Sequence, residues 1–139
     1  MQNVSDLESL DTNTLKLLLK DAMDKKREIA QGDFLKFVKE VWPDFIEGKH
    51  HKIYAEKLNR IANGELKRLI VNMPPRHTKS EFASNLFPAF YMGRHPKAKL
   101  IQTTHTGELA IRFGRKAKNM IESSEYEKVF PEVTLAADS

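Results

Sequence analysis

Through the first half of the chain, apolar side chains recur every three or four residues. This spacing predicts an amphipathic helix from about Thr12, with Asp11 or Thr12 as its N-cap and Gly32 just past its C-terminal end. The apolar stripe of that helix comprises Leu15, Leu18, Leu19, Ala22 and Met23. The first element of the protein is therefore expected to be a long helix with one apolar face.

Two shorter helices are predicted next. Asp33 is placed to cap a helix over residues 34–42, which Pro43 ends because proline cannot continue a helix. A third helix is predicted over residues 49–62, with Asn63-Gly64 as its stop signal. Residues 1–64 are therefore interpreted as a helical N-terminal extension.

After residue 64 the pattern changes to short apolar runs that alternate with helical stripes. Residues 68–73 and 98–103 are predicted to be buried strands, and residues 79–91 and 109–121 are predicted to be helices. Strands that alternate with helices through short connections predict an α/β fold with a parallel sheet. Two strands make a poor sheet, so we expect residues 65–139 to be the first part of a larger α/β core.

Composition narrows the class of protein without naming a function. The 139 residues include no cysteine, which excludes a disulfide framework, a thiolate nucleophile and a zinc–cysteine site. No apolar run approaches the roughly 18 residues that a membrane span needs, and the polar N-terminus lacks the features of a secretory signal. The formal net charge of +4 permits a polyanionic partner but does not require one.

The segment Met73-Pro74-Pro75-Arg76-His77-Thr78-Lys79-Ser80 carries the most chemistry. It lies between a predicted strand and a predicted helix, and its Lys-Ser pair matches the end of the phosphate-loop pattern G-x-x-x-x-G-K-[ST]. The two glycine positions of that pattern hold Met73 and Thr78 instead. Because a β-branched residue disfavours positive φ, we expect Thr78 to keep a conventional backbone. The alternative is that Lys79-Ser80 merely opens a helix after a Pro-Pro turn.

Residues 72–84 resemble the variant Walker A segment of tailed-phage terminase large subunits, the DNA-packaging motor ATPases. Those loops typically read P-P-R-H-G-K-S, so Thr78 departs from the commoner glycine. The resemblance covers roughly residues 34–139 through several co-linear motifs. They are Phe37-Val38, Trp42-Pro43-x-Phe45, Gly48-x-His50-His51, Ile61-Ala62-Asn63-Gly64-Glu65, Phe87-Pro88-Ala89, Gly93-Arg94, Glu108-Leu109-Ala110 and Phe113-Gly114-Arg115.

The resemblance implies a P-loop ATPase domain of the ASCE type, joined in the complete protein to an RNase H-like nuclease domain. Lys79 would then hold the β- and γ-phosphates of ATP, Ser80 would bind Mg²⁺, and Arg76 would sense the γ-phosphate. The backbone from Pro75 to Thr78 would form the phosphate cradle, with His77 orienting phosphate or the neighbouring backbone. Either His50 or His51 would contact adenine, and His51 is taken as the site residue. The alternative, which the residues by themselves favour, is that the two histidines only form a polar helix start.

The implied function is ATP hydrolysis coupled to translocation of double-stranded DNA into a viral procapsid, in the cytoplasm of an infected bacterial host. The implied partners are DNA, the small terminase subunit, the portal or procapsid, and further copies of the chain in a ring. The acidic Walker B strand and its catalytic Glu are not found, so we expect the 139-residue chain to lack turnover. The alternatives are a non-catalytic nucleotide- or partner-binding fragment and a superfamily 2-like helicase fragment.

Two other groups of residues have competing interpretations. Arg112, Arg115 and Lys116 form a basic cluster on one predicted helix, which is either a DNA-backbone contact or a solvated face. Trp42 and Phe45 are interpreted as core packing.

Overall fold

The computed structural model describes residues 11–136. The first ten residues of the predicted extension and the last three of the predicted core lie outside that range. The described elements are α1 (Thr12–Gly32), α2 (Phe34–Val41), α3 (Lys49–Ala62), α4 (Lys79–Glu81), a π-helical turn (Phe82–Leu86), α5 (Phe87–Arg94), α6 (Gly107–Ile121) and α7 (Ser124–Val129).

The five helices predicted from periodicity are confirmed, with boundaries that differ by a few residues. The predicted caps are also present, because Asp11 accepts the N–H of Asn13 and Asp33 accepts the N–H of Lys36. Gly32 is the last residue of α1 and not the residue beyond it. The short helix α7 was not predicted.

The predicted α/β fold with a parallel sheet is wrong. Between residues 11 and 136 the structure contains helices, turns and extended segments, but no strand and no sheet. Residues 68–73 and 98–103 pair with no neighbouring segment, and Ile70 and Ile101 are 87% and 92% exposed. Only the alternate side chains Leu69, Val71 and Met73 of the first segment pack on the core. The apolar runs were correctly located, but an apolar run becomes a strand only where a second segment pairs with it.

The core is a cluster of aromatic rings contributed by both halves of the chain. Phe34 and Phe37 of α2 meet Phe82 and Phe90 of the later helices, with ring centroids 5.2–5.4 Å apart. Tyr126 of α7 is fully buried, and its hydroxyl donates a 2.9 Å hydrogen bond to the carbonyl of Ala89. Residues on either side of position 64 thus share one core.

Elements α4, the π-turn and α5 run end to end as one helix over residues 79–94, which we call the loop helix. Pro88 has no N–H, so the carbonyl of Ser84 cannot receive its usual intrahelical bond. The side chain of Gln102 donates to that carbonyl instead, at 3.1 Å. The π-turn ends at Leu86, two residues before Pro88, and the proline accounts for the irregularity in the middle of the helix.

Helix α1 extends away from the core along most of its length. Of its 21 residues only Ala30 is buried, and Leu17, Leu19 and Met23 are each more than half exposed. Its contacts with the body include bonds from Arg27 and from Gln31 to carbonyls near the end of α7. None of the helices in the described range is long and apolar enough to cross a membrane.

Candidate phosphate-binding loop

The predicted phosphate loop lines a cavity of about 590 Å³. Its walls are Trp42 and the unbroken stretch 73–81, so every loop residue predicted to bind phosphate or Mg²⁺ faces the same space. That volume lies within the range typical of small-molecule sites. Trp42 and Glu81 are cavity residues that the sequence analysis did not assign to the site. Adjacency to the Lys-Ser pair could have indicated Glu81, but Trp42 lies 31 positions before the first loop residue.

The backbone of this loop is strained at two positions. Arg76 has φ = +64° and Thr78 has φ = +59°, and they are the non-glycine residues with positive φ in the described part of the chain. The expectation that Thr78 keeps a conventional backbone is therefore wrong. A side chain in the left-handed region costs about 1–2 kcal/mol, with a β-branched residue such as threonine disfavoured further. Such strain persists only where the surroundings enforce it, and it clusters at functional sites.

Thr78 is held by a chain of hydrogen bonds that leads into α3. Its hydroxyl donates to the carbonyl of His77 at 2.6 Å, and Nε2 of His51 lies 2.7 Å from the same hydroxyl oxygen. At the other side of the ring, Nδ1 of His51 accepts the N–H of Gly48 at 2.8 Å. His51 is only 6% exposed and lies behind the loop, outside the residues that line the cavity. Its predicted contact with adenine stays a prediction.

The surroundings of His51 favour a neutral ring. Burial lowers the pKa of His51 below its ordinary value of 6.5, and the neighbouring His50 and His77 lower it further. Glu47 acts in the opposite direction and raises the pKa of His51. The ring is packed between Phe45 and Phe82, with centroids 4.8 and 5.3 Å away. An apolar environment of this kind penalises the imidazolium form.

The loop helix begins at the edge of the cavity. Thr78 is its N-cap, and the carbonyl of Thr78 accepts the first intrahelical bond, from the N–H of Phe82 at 2.9 Å. The N–H groups of Lys79, Ser80 and Glu81 therefore have no intrahelical partner, and the positive end of the helix dipole lies at the loop. This is the arrangement that binds anions at helix N-termini.

Phe82 fixes the position of this helix end. It follows the cavity residues directly, is fully buried, and packs against Phe34, Phe45 and Tyr54 with ring centroids 5.2–5.7 Å apart. The residue after the loop is therefore part of the aromatic core. Phe82 lies within residues 72–84, which resemble the Walker A segment, but the sequence alone predicted no role for it.

The charged groups around the cavity are mostly cationic. The ammonium of Lys79 lies 3.4 Å from the carbonyl of Met73, and the side chain of Arg76 is exposed. The ring of His77 folds back so that Nδ1 is 2.9 Å from the carbonyl of Pro75. Glu81 is the carboxylate among the cavity residues, and both of its oxygens are engaged, one by Asn85 at 2.7 Å and the other by Lys116 at 3.4 Å.

Three histidines lie close together behind and beside the loop. The rings of His50 and His51 have centroids 3.8 Å apart, and those of His50 and His77 are 5.5 Å apart. Among residues 11–136, no group of three or more histidine, aspartate or glutamate side chains has an arrangement that could hold a metal ion.

The geometry gathers an outward-facing helix N-terminus, two cations and a strained backbone around one cavity. The function must be inferred from this geometry and from the sequence motifs, because no protein-family model, curated protein or solved structure matches this chain.

Proposed function

We propose that the protein binds Mg-ATP in the cavity of the 73–81 loop. The observation that carries the proposal is the pair of left-handed residues, Arg76 and Thr78, in a loop that leads into a helix N-terminus. A Pro-Pro turn that merely opened a helix would not need two strained residues. In an anion-binding loop such residues have a use, because successive backbone N–H groups converge on one point where the backbone changes between right- and left-handed conformations.

Each residue predicted to bind ATP is assigned to one group of the nucleoside triphosphate. Lys79 contributes a cation to the β- and γ-phosphates. Its ammonium would leave the long contact with the Met73 carbonyl in order to do so. The hydroxyl of Ser80, at the first turn of the helix, would bind Mg²⁺ that phosphate oxygens also coordinate. Arg76 provides a guanidinium suited to the γ-phosphate, and the backbone from Pro75 to Thr78 provides the cradle.

At the level of the whole protein, we propose that this is the ATP-binding part of a DNA-packaging motor of the terminase large-subunit kind. The support is the series of co-linear motifs around residues 34–115, together with a cationic loop at the position where those proteins bind ATP. The proposal includes double-stranded DNA, a small terminase subunit and a portal or procapsid as partners, in the cytoplasm of an infected bacterium. This proposal rests on the loop and on the helix that follows it, and a parallel sheet is no part of it.

Binding without turnover is the second candidate. Hydrolysis requires a group that orients the attacking water, in addition to the charges that hold the phosphates. Glu81 is the carboxylate at the described cavity, and it is already bonded to Asn85 and Lys116. We therefore expect the 139-residue chain to release phosphate from ATP at a negligible rate.

The binding test uses the single tryptophan of the chain. Because Trp42 lines the cavity, its fluorescence should change when Mg-ATP binds. We expect a saturable change in the parent protein that Lys79→Ala weakens by about a hundredfold, since a charge-assisted hydrogen bond contributes roughly 1.5–3 kcal/mol. Lys99→Ala, which removes an exposed cation in residues 98–103, should bind Mg-ATP like the parent.

One result would contradict the binding of Mg-ATP, and another would contradict binding without turnover. Equal affinity of the parent and Lys79→Ala would leave the loop as a turn before a helix. Steady phosphate release that disappears in Lys79→Ala would retain ATP binding but exclude binding without turnover.

A further inference from the structure

His51 makes a contact that its predicted role does not explain. Its ring bridges the N-terminus of α3 and the strained residue of the loop, with Gly48 on one side and Thr78 on the other. The two residues that it joins through space, His51 and Thr78, are 27 positions apart in the sequence. The backbone N–H of His51 also bonds to the carbonyl of Gly48 at 3.1 Å, so the helix start and the ring are fixed together.

The bonding pattern determines which ring nitrogen carries the proton. The N–H of Gly48 can only donate, so Nδ1 of His51 must accept and is unprotonated. In the neutral ring the proton is therefore on Nε2, which donates to the hydroxyl oxygen of Thr78. The Thr78 hydroxyl in turn donates to the carbonyl of His77. Each donor in this chain has one acceptor, and the direction is the same throughout.

The result of this chain is a constraint on the loop. The His51 ring is buried against Phe45 and the core residue Phe82, so its position is set by residues outside the cavity. The Thr78 hydroxyl is fixed between that ring and the carbonyl of the preceding residue. Rotation of Thr78 out of the left-handed region would break both hydrogen bonds.

We propose that His51 is a positioning residue that holds Thr78 in the left-handed conformation and so sets the loop for phosphate. The inference rests on the proposed binding of Mg-ATP, and it assigns His51 an action on the triphosphate through Thr78. A glycine at position 78 would adopt the same backbone without help. The ring of His51 thus compensates for the threonine at this position.

The test is a double-mutant cycle between positions 51 and 78 in the full 139-residue chain. We expect His51→Ala to weaken Mg-ATP binding about tenfold, the equivalent of one hydrogen bond. In the Thr78→Gly background the same change should have almost no effect, because glycine needs no clamp. An equal loss in both backgrounds would overturn the inference, and so would an unchanged affinity in His51→Ala.

Inorganic triphosphate distinguishes positioning from contact with adenine. If His51 acts through the loop, His51→Ala should weaken binding of Mg-triphosphate by the same factor as binding of Mg-ATP. A loss confined to Mg-ATP would instead assign His51 to the base and overturn the inference. His51→Gln, whose amide N–H reaches to about the position of Nε2, should retain most of the affinity and replaces His51→Ala if the alanine variant does not fold.

A measurement without ligand separates this inference from the proposed function. Nitrogen NMR of the parent should give a His51 ring protonated at Nε2, and urea unfolding should give a favourable coupling between His51 and Thr78. If the parent binds no Mg-ATP while this coupling is present, the proposed function fails and the clamp remains. If Lys79→Ala loses Mg-ATP but positions 51 and 78 are uncoupled, the clamp fails and the proposed function remains.

Discussion

Two segments of the protein have the same local design but different surroundings. Residues 68–73 and residues 98–103 each form an extended segment with apolar side chains, and a short turn or bend connects each segment to the N-terminus of a helix. The second segment enters α6 through Thr106, an ordinary N-cap with φ = −137° whose hydroxyl accepts the N–H of Leu109. The first enters the loop helix through Thr78, in a left-handed conformation and without a side-chain cap.

The difference lies in what holds each threonine. The hydroxyl of Thr106 caps its own helix without a distant residue. The hydroxyl of Thr78 instead donates to the carbonyl of His77 and accepts a hydrogen bond from His51. The aromatic residues of the two helices also differ in burial, because Phe82 is fully buried while Phe113, in the middle of α6, is only partly buried. The two segments thus have a similar sequence pattern. One leads to an ordinary helix start, and the other leads to a loop whose backbone is held by contacts with distant residues. The enforced loop is the better candidate for a site.

The largest expected effect concerns the anchor of the loop helix. Phe82→Ala should lower the free energy of unfolding by about 3–5 kcal/mol, because it removes a fully buried ring that contacts several others. Phe113→Ala is the matched control in the second helix and should cost clearly less, since its ring is partly exposed. Urea unfolding followed by circular dichroism measures both. An equal loss of unfolding free energy in the two variants would mean that Phe82 stabilises the loop helix no more than Phe113 stabilises α6.

The next effect separates the two charges of the loop. Arg76→Ala should weaken binding of Mg-ATP about tenfold and binding of Mg-ADP less, because the guanidinium is assigned to the γ-phosphate. Arg112→Ala, in the exposed part of α6, should change neither affinity. Titration of Trp42 fluorescence with both nucleotides gives the ratio. The same loss for both nucleotides would remove Arg76 from the γ-phosphate.

The stability of the protein should also depend on pH through His51, whose ring is bonded to Thr78 of the first segment. The folded-state pKa of His51 is below 6.5, so the folded protein binds fewer protons there than the unfolded chain does. The stability from neutral His51 is complete above about pH 6.5 and is lost as the pH falls through its folded-state pKa. Its charged or titratable neighbours are His50, His77 and Glu47.

The measurement is urea unfolding between pH 7.5 and pH 5, in the parent and in His51→Gln. We expect the parent to lose more stability than the variant over this range, since glutamine does not titrate. Identical pH profiles would show that His51 titrates alike in the folded and unfolded chains.

The sequence was sufficient for features that depend on local interactions. Helix periodicity, the caps Asp11 and Asp33 and the position of the loop all follow from side chains within a few residues of one another. The missed helix α7 had local signals too, since Ser123 caps it and Glu125 and Glu127 occupy its first turn. These signals were sufficient to predict α7 from the sequence.

The other failures required knowledge of distant contacts. Whether residues 68–73 pair with another segment is decided by what lies beside them, and their own composition does not specify a partner. The positive φ of Thr78 contradicts its intrinsic preference, and a side chain 27 positions earlier explains it. Trp42 reaches the cavity through the packing of α2 on the loop helix, for which the chain carries no local signal.

The smallest expected effect gives the most direct test of the comparison. Thr78→Gly removes the strain of a left-handed threonine but also removes the hydroxyl that bonds to His51 and to His77. These contributions have opposite signs and are each about 1 kcal/mol, so the free energy of unfolding should change by less than about 1 kcal/mol. At Thr106, where φ is negative and the side chain is a true cap, glycine brings no relief and should be mildly destabilising. Urea unfolding and Mg-ATP titration of both variants measure the difference, and Thr78→Gly should bind Mg-ATP at least as well as the parent. A large loss of affinity in Thr78→Gly, with Thr106→Gly unaffected, would mean that the threonine hydroxyl itself contacts the phosphates.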